Sequence, residues 1–203
     1  GVTDAFLVKF SPTGARLWAT YYGLTSTEMI TANCIATDAS NNVFLAGQTD
    51  NPSGMASGGF QNTNGGSQDV FLVKFSPTGA RLWATYYGGS DPTISEECYG
   101  VTANAAGNVY IAGDSYSSNN IASGGYDNSF TGTENNFVAA FDANGSRLCA
   151  TYYGLTHEEE GHVGVDGSGN VYLAGNTASA SGIASGGFDN ILGGADAYLL
   201  KFA

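Results

Sequence analysis

Basic residues are few. Six Lys and Arg face 18 Asp and Glu in 203 residues, a formal net charge of -12, and a surface so charged repels phosphate backbones and anionic headgroups. Nucleic acid is accordingly not an expected partner. Charge of either sign is scarce, at 12% of residues against 42% hydrophobic ones, so the composition suits a packed core and not a solvated, disordered chain. Long apolar runs are missing: none approaches the roughly 20 residues of a membrane-spanning helix, and the opening GVTDAFLVKF lacks a basic-then-apolar leader. No membrane insertion is expected. Cysteine amounts to Cys34, Cys98 and Cys149. With an odd number and no CxxC, at least one thiol is unpaired or pairs with another chain, and no disulfide framework is expected; each reads as a small apolar strand residue. Helical periodicity is absent too, since glycines interrupt every stretch that would need a 3.6-residue apolar repeat.

What the chain has in excess is glycine, 30 residues, roughly twice ordinary usage, and it has it periodically. DAFLVKFSPTGARLWATYYG from Asp4 returns almost unchanged as DVFLVKFSPTGARLWATYYG from Asp69. It recurs, degraded, as NNFVAAFDANGSRLCATYYG from Asn135, and DAYLLKFA from Asp196 opens it once more. A second module alternates with it: CIATDASNNVFLAGQT from Cys34, GVTANAAGNVYIAGDS from Gly100 and HVGVDGSGNVYLAGNT from His162. A third piece follows that, ASGGFQN from Ala56, ASGGYDN from Ala122 and ASGGFDN from Ala184. A fixed period of this length dictates the architecture. The chain divides into units of approximately 4–68, 69–134 and 135–195 with a partial unit 196–203, together one repeat array over 1–203.

Each unit holds four runs of β-formers joined by short polar connectors. In Ser11-Pro12-Thr13-Gly14 proline presets an early turn position and glycine accepts the left-handed one that ends the turn. Asp142-Ala143-Asn144-Gly145 and Asp166-Gly167-Ser168-Gly169 follow the same logic, with the aspartate bonding forward to backbone amides. The expectation is all-β: tandem four-stranded antiparallel blades of β-propeller type, about three repeats plus a terminal strand. Apolar runs such as Phe71-Leu72-Val73 suit strands buried on both faces. If AFLVKF and RLWATYY form one hairpin and CIATD and VFLAGQT another, the first blade lacks two strands and the last lacks one. Such ends expose strand edges, so the expectation is an incomplete array that is part of a longer chain or is completed by neighbouring chains, ranked above a small propeller closed through its own termini.

The aspartate-led DAFLVKF strand, the G-x-R-L-W-x-T-Y-Y-G strand, the D-x-x-G-N-V-Y-x-A-G hairpin and the SGGF-N loop resemble the bacterial SBBP repeats, named for a seven-bladed β-propeller. The resemblance covers essentially all 203 residues. It implies a propeller-like bacterial protein that is secreted or at the cell surface, often with many repeats, and it supplies no catalytic residues. The chain departs from the pattern at Cys149, where Trp18 and Trp83 stand, and at Ala140, which replaces Lys9 and Lys74.

Chemistry is sparse. His157-Glu158-Glu159-Glu160-Gly161-His162 looks like a zinc peptidase motif, but its histidines are five apart, beside a glycine, where one helix face needs them four apart. A solvated acidic loop is the better reading. Asp4, Asp69 and Asp196 recur at a strand head as one carboxylate per unit, too few for calcium, and read as turn caps. The six basic residues fall at two repeat positions, Lys9, Lys74 and Lys201, and Arg16, Arg81 and Arg147, which suggests ion pairs or stacking on aromatic rings. No catalytic residue, metal or cofactor is expected. The aromatic positions Trp18, Tyr22, Trp83, Tyr87 and Tyr153 are either contacts between blades or one sugar-stacking site per blade, and alternation of faces favours the former. The functional expectation is a non-enzymatic, extracellular or cell-surface structural or adhesive repeat protein, a self-assembling fibre subunit or a segment of a longer one. Its expected partners are copies of itself or further repeats meeting at open blade edges. The alternative is a lectin-like propeller that binds glycans.

Overall fold

A computed structural model describes residues 3–24, 28–154, 158–178, 183–191 and 193–202. Strands form where the alternating and continuous apolar runs stand, and no helix occurs among the described residues. The first sheet pairs β1 (Ala5–Phe10) with β2 (Arg16–Tyr22). The second is β3 (Ile30–Thr37), β4 (Val43–Thr49), β5 (Asp69–Phe75) and β6 (Arg81–Tyr87), in that order. The third repeats it with β7 (Glu96–Ala103), β8 (Val109–Ser115), β9 (Asn135–Phe141) and β10 (Arg147–Tyr153). The fourth has β11 (Glu158–Val165), β12 (Val171–Thr177) and β13 (Asp196–Phe202). All pairs are antiparallel. The second, third and fourth sheets therefore join the second module of one sequence period to the opening of the next, and among the described residues the first sheet has two strands and the fourth three.

Local chemistry sets the hairpins. The amide of Gly14 donates to Ser11 O at 2.9 Å and that of Gly79 to Ser76 O at 3.0 Å, with both glycines at positive φ. Asn41 takes the left-handed position that Gly107 and Gly169 hold in the other copies, a conformation asparagine tolerates. Register is shared: Val43 faces Phe75, Val109 faces Phe141 and Val171 faces Phe202, with Thr49–Asp69, Ser115–Asn135 and Thr177–Asp196 closing the other end.

Three apolar clusters lie between consecutive sheets. Leu7 and Tyr22 of the first pack on Phe71, Val73 and Phe75 of the second. Phe44, Leu72, Trp83 and Tyr87 of the second pack on Cys98, Ile111, Phe137 and Phe141 of the third. The third seam is smaller, with Ala112 and Val138 against Leu173 and Tyr198. The central strands β5 and β9 are buried along their whole length, as expected of sheets covered on both faces.

Candidate functional site

The recurrent chemistry sits in the seams, and one side-chain device builds them. The second tyrosine of each RLWATYY-type strand reaches the following sheet. Tyr22 donates its hydroxyl to Met55 O at 3.1 Å, Tyr87 to Ile121 O at 2.7 Å, and Tyr153 to Ile183 O. Each acceptor directly precedes an Ala-Ser-Gly-Gly loop. The rings lodge against the receiving sheet, Tyr22 on Phe71 and Phe75, Tyr87 on Phe137 and Phe141, Tyr153 on Tyr198 and Phe202. The receiving sheet's arginine shares the carbonyl: Arg81 Nη1 meets Met55 O at 3.0 Å and Arg147 Nη1 meets Ile121 O at 3.0 Å.

A second clasp uses the cross-strand pairs Lys9–Trp18 and Lys74–Trp83. Trp18 Nε1 and Lys9 Nζ both donate to Pro77 O, at 3.0 and 3.1 Å, at the hairpin tip of the second sheet. Trp83 Nε1 and Lys74 Nζ do the same to Ala143 O of the third, at 2.9 and 3.2 Å. Lys74 is buried. It also lies 3.5 Å from Asp38 and over the Phe44 ring. Glycine at the receiving tip lets the indole lie flat, since a Cβ at Gly79 would sit 3.1 Å from the Trp18 ring and one at Gly145 2.9 Å from that of Trp83. Cys149 and Ala140, the two departures of the third unit, are themselves cross-strand partners, so that seam loses both halves of the clasp. A cavity of 420 Å³ remains there, bordered by Tyr110, Tyr126, Cys149, Lys201 and Phe202.

All five expected aromatic positions thus lie at seams. Their N–H and O–H groups donate to main-chain carbonyls of the next sheet. Arg81 and Arg147 serve the same seams, and Arg147 also stacks on Phe60 with its guanidinium 4.4 Å from the ring centre. Asp69 is a loop cap: its carboxylate accepts from the amides of Gly65 and Gly66 and from Gln61 Nε2 at 2.9 to 3.1 Å. Asp196 accepts from Gly193 N at 2.7 Å. The acidic segment is not the solvated loop expected, because from Glu158 it pairs with β12 as the start of β11; His157 lies outside the described residues, and His162 sits in β11 with its ring 6.5 Å from that of Tyr99. No three His, Cys, Asp or Glu side chains converge among the described residues.

Two carboxyls are buried near the third sheet. Glu96 accepts from Gly89 N at 3.1 Å and Ser115 Oγ at 3.2 Å, and burial pushes its pKa up to about 7. Asp114, bonded to Asn136 Nδ2, is likewise pushed up to about 7 by burial, assisted by the charges of Glu134 and Glu97.

The sheet edges complete the description. Backbone groups of the Ala-Ser-Gly-Gly loop pair with the outer edge of the fourth strand in its own sheet. Ser57 exchanges two bonds with Ala84 at 2.9 Å, and Ser123 exchanges two with Ala150 at 2.8 and 2.9 Å. In the fourth sheet this strand is not present among the described residues: no side chain or backbone comes within 4 Å of a Cβ built at Gly187, and Phe188 is fully exposed. The exposed β13 residue Leu199 corresponds to Leu72 and Val138, which are buried in the complete sheets. At the other end Phe6, Phe10 and Tyr21 are 68%, 60% and 82% exposed, whereas their counterparts Phe71, Phe75 and Tyr86 are buried in a seam.

No family model matches the chain. It is similar to an uncharacterized WD repeat-containing protein of Acanthamoeba polyphaga mimivirus, 28% identical over an alignment of 107 residues that covers 48% of this chain and 7% of that protein's length. A crystal structure of a protein of unknown function from Bacteroides caccae overlaps 84% of this chain and 50% of its own, at 12% identity and a TM-score of 0.45. The repeated blade-like sheets, together with the WD-repeat similarity, support tandem repeats of the β-propeller kind; each sheet described is open.

Sequence reasoning located the aromatic positions but missed their acceptors. The groups that receive them are main-chain carbonyls, which no residue type announces. The joint loss of lysine and tryptophan in the third unit was the available signal, because two positions that vanish together are often neighbours across a hairpin.

Proposed function

We propose that this chain is a non-enzymatic structural or adhesive scaffold of propeller-type blades, working outside the cell, which joins further units of the same kind at its two open ends. The observation that carries the reading is that the ends are complementary halves of a seam that the molecule already builds inside itself. Phe6 and Phe10 offer the surface on which Tyr22, Tyr87 and Tyr153 dock in the internal seams. The fourth sheet offers β13 and an Ala-Ser-Gly-Gly loop without the strand that both would hold. A contact that joins one end to the other, and does not close on itself, propagates as a linear array, and strand addition supplies main-chain hydrogen bonds as affinity. A following repeat of a longer chain would supply the missing strand directly, and a second copy would stack its first sheet on the exposed face of the fourth.

Two measurements test the proposal. Sedimentation velocity and negative-stain imaging across a concentration series should show head-to-tail oligomers. A chain in which a copy of residues 76–88 follows Phe202 in place of Ala203 should melt at higher temperature, because the added strand pairs with β13 and receives the loop. Monomers at every concentration, together with an extension that leaves melting unchanged, would overturn the reading.

A further inference from the structure

Two of the three cysteines, far apart in sequence, meet in the fold. Cys34 lies in β3 and Cys98 in β7, in different sheets, yet their sulfur atoms are 3.7 Å apart. Each sits beside a β-bulge, between Ala32 and Cys34 in one strand and between Cys98 and Gly100 in the other, and a bulge re-aims the side chains around it. At the next seam the counterpart of Cys34 is Gly100, where the strand backbones approach directly: a Cβ on Gly100 would stand 2.7 Å from Val163 N. The thiols therefore occupy a point where first strands of successive sheets touch. Asn33 Nδ2 bridges the same point to Cys98 O at 3.0 Å, so the two strands are already tied beside the sulfurs. Cys98 is fully buried and Cys34 partly exposed, which makes Cys34 the entry point for a reagent.

We propose that Cys34 and Cys98 form a redox-controlled disulfide that locks the second sheet to the third. The oxidant is a low-molecular-weight disulfide. The Cys34 thiolate attacks one of its sulfurs, forming a mixed disulfide and releasing one small thiolate. The Cys98 thiolate then attacks Cys34 Sγ, forming the bond between the sheets and releasing the second. The two thiol protons end on the two released thiols, and the small disulfide is reduced as the protein pair is oxidised. The sulfurs need to close from 3.7 Å to about 2 Å, and the closed ring adds a covalent tie between two sheets otherwise joined by the connecting chain and non-covalent contacts. The inference does not depend on how the ends of the array are completed.

The test uses the full chain carrying Cys149→Ser, treated with oxidised glutathione under native conditions. Both remaining thiols should disappear and the mass should fall by two hydrogen atoms. Peptide mapping should place Cys34 and Cys98 in one cross-linked species, and melting should rise by about 5–10 °C. Adding Cys98→Ser should instead trap a stable glutathione adduct on Cys34, whereas adding Cys34→Ser should leave Cys98 unmodified in the folded chain. Two free thiols after treatment, a persistent glutathione adduct when both cysteines are present, cross-linking between copies, or melting that stays level or falls would each overturn the proposal.

Discussion

Tyr87 and Trp83 act on the same seam with different physics, and substitution separates them. The Tyr87 hydroxyl shares Ile121 O with Arg147, so Tyr87→Phe removes one bond while the carbonyl keeps a donor. The cost should be about 0.5–1 kcal/mol. Trp83→Ala empties a buried indole site and strips a donor from Ala143 O, and should cost about 3–5 kcal/mol. Urea midpoints at unchanged slope would measure both. The buried carboxyls set a pH dependence. Glu96 and Asp114 have folded pKa values near 7, above those of an unfolded chain, so between about pH 4.5 and 7 the native state binds more protons and stability falls as pH rises. Asp38 and Asp166 shift the other way. In Asp166, held at about 2, the Asn170 side-chain hydrogen bond is the largest cause; Asp38 is lowered by its bonds to Asn42 and by Lys74 against the opposing effect of burial. Their stabilisation is lost only in stronger acid. Melting temperature should therefore be highest near pH 5 and decline toward pH 8, and Glu96→Gln should flatten that decline. A curve that rises from pH 5 to 8 would contradict the assignment.

At the scale of strands and loops, glycine shows what pairing requires. A Cβ on Gly59 would lie 2.6 Å from Thr85 Cβ and 2.7 Å from Ala84 O, and one on Gly125 would collide with Ala150 O. Neither glycine has positive φ, so close approach is what demands it. Gly125→Ala should cost about 1–3 kcal/mol through overpacking, whereas Gly187→Ala at the uncovered equivalent should change stability by less than about 0.5 kcal/mol. Chemical denaturation of the two variants compares a paired loop with an unpaired one in a single molecule. Strand order and hairpins were legible because their causes are local: Ser-Pro-Thr-Gly dictates its own turn, and near-identical copies must fold alike. The loop over the β6 and β10 edges was not, because Ser57 and Ser123 pair through backbone atoms with alanines whose identity is immaterial. The meeting of Cys34 and Cys98 was hidden for a related reason. They occupy different positions of the repeat, so periodicity could not align them, and each lies beside a bulge that the strand pattern does not announce.

At the scale of the whole molecule, the energetics follow from which sheet faces are covered. An internal sheet such as the second buries Phe71 and Leu72 on opposite sides, one against the preceding sheet and one against the following sheet. The terminal sheets leave the matching residues Phe6 and Leu199 at 68% and 71% exposure. Exposed apolar residues at an open edge are a liability in a lone monomer and an asset in an assembly. Phe6→Asp and Leu199→Asp should therefore leave the monomer's melting temperature within about 2 °C, since neither side chain is packed in the isolated chain. In an array the same charges would lie in an apolar seam without a partner, at a cost of several kcal/mol per contact. Mixing supplies the decisive geometry. A head-to-tail seam uses Phe6 of one unit and Leu199 of its neighbour, so either single variant should still cap wild-type oligomers through its intact end, while the double variant should cap none. Sedimentation of the three variants against wild type reads this directly, and equal capping by all three would mean that association runs through some other surface.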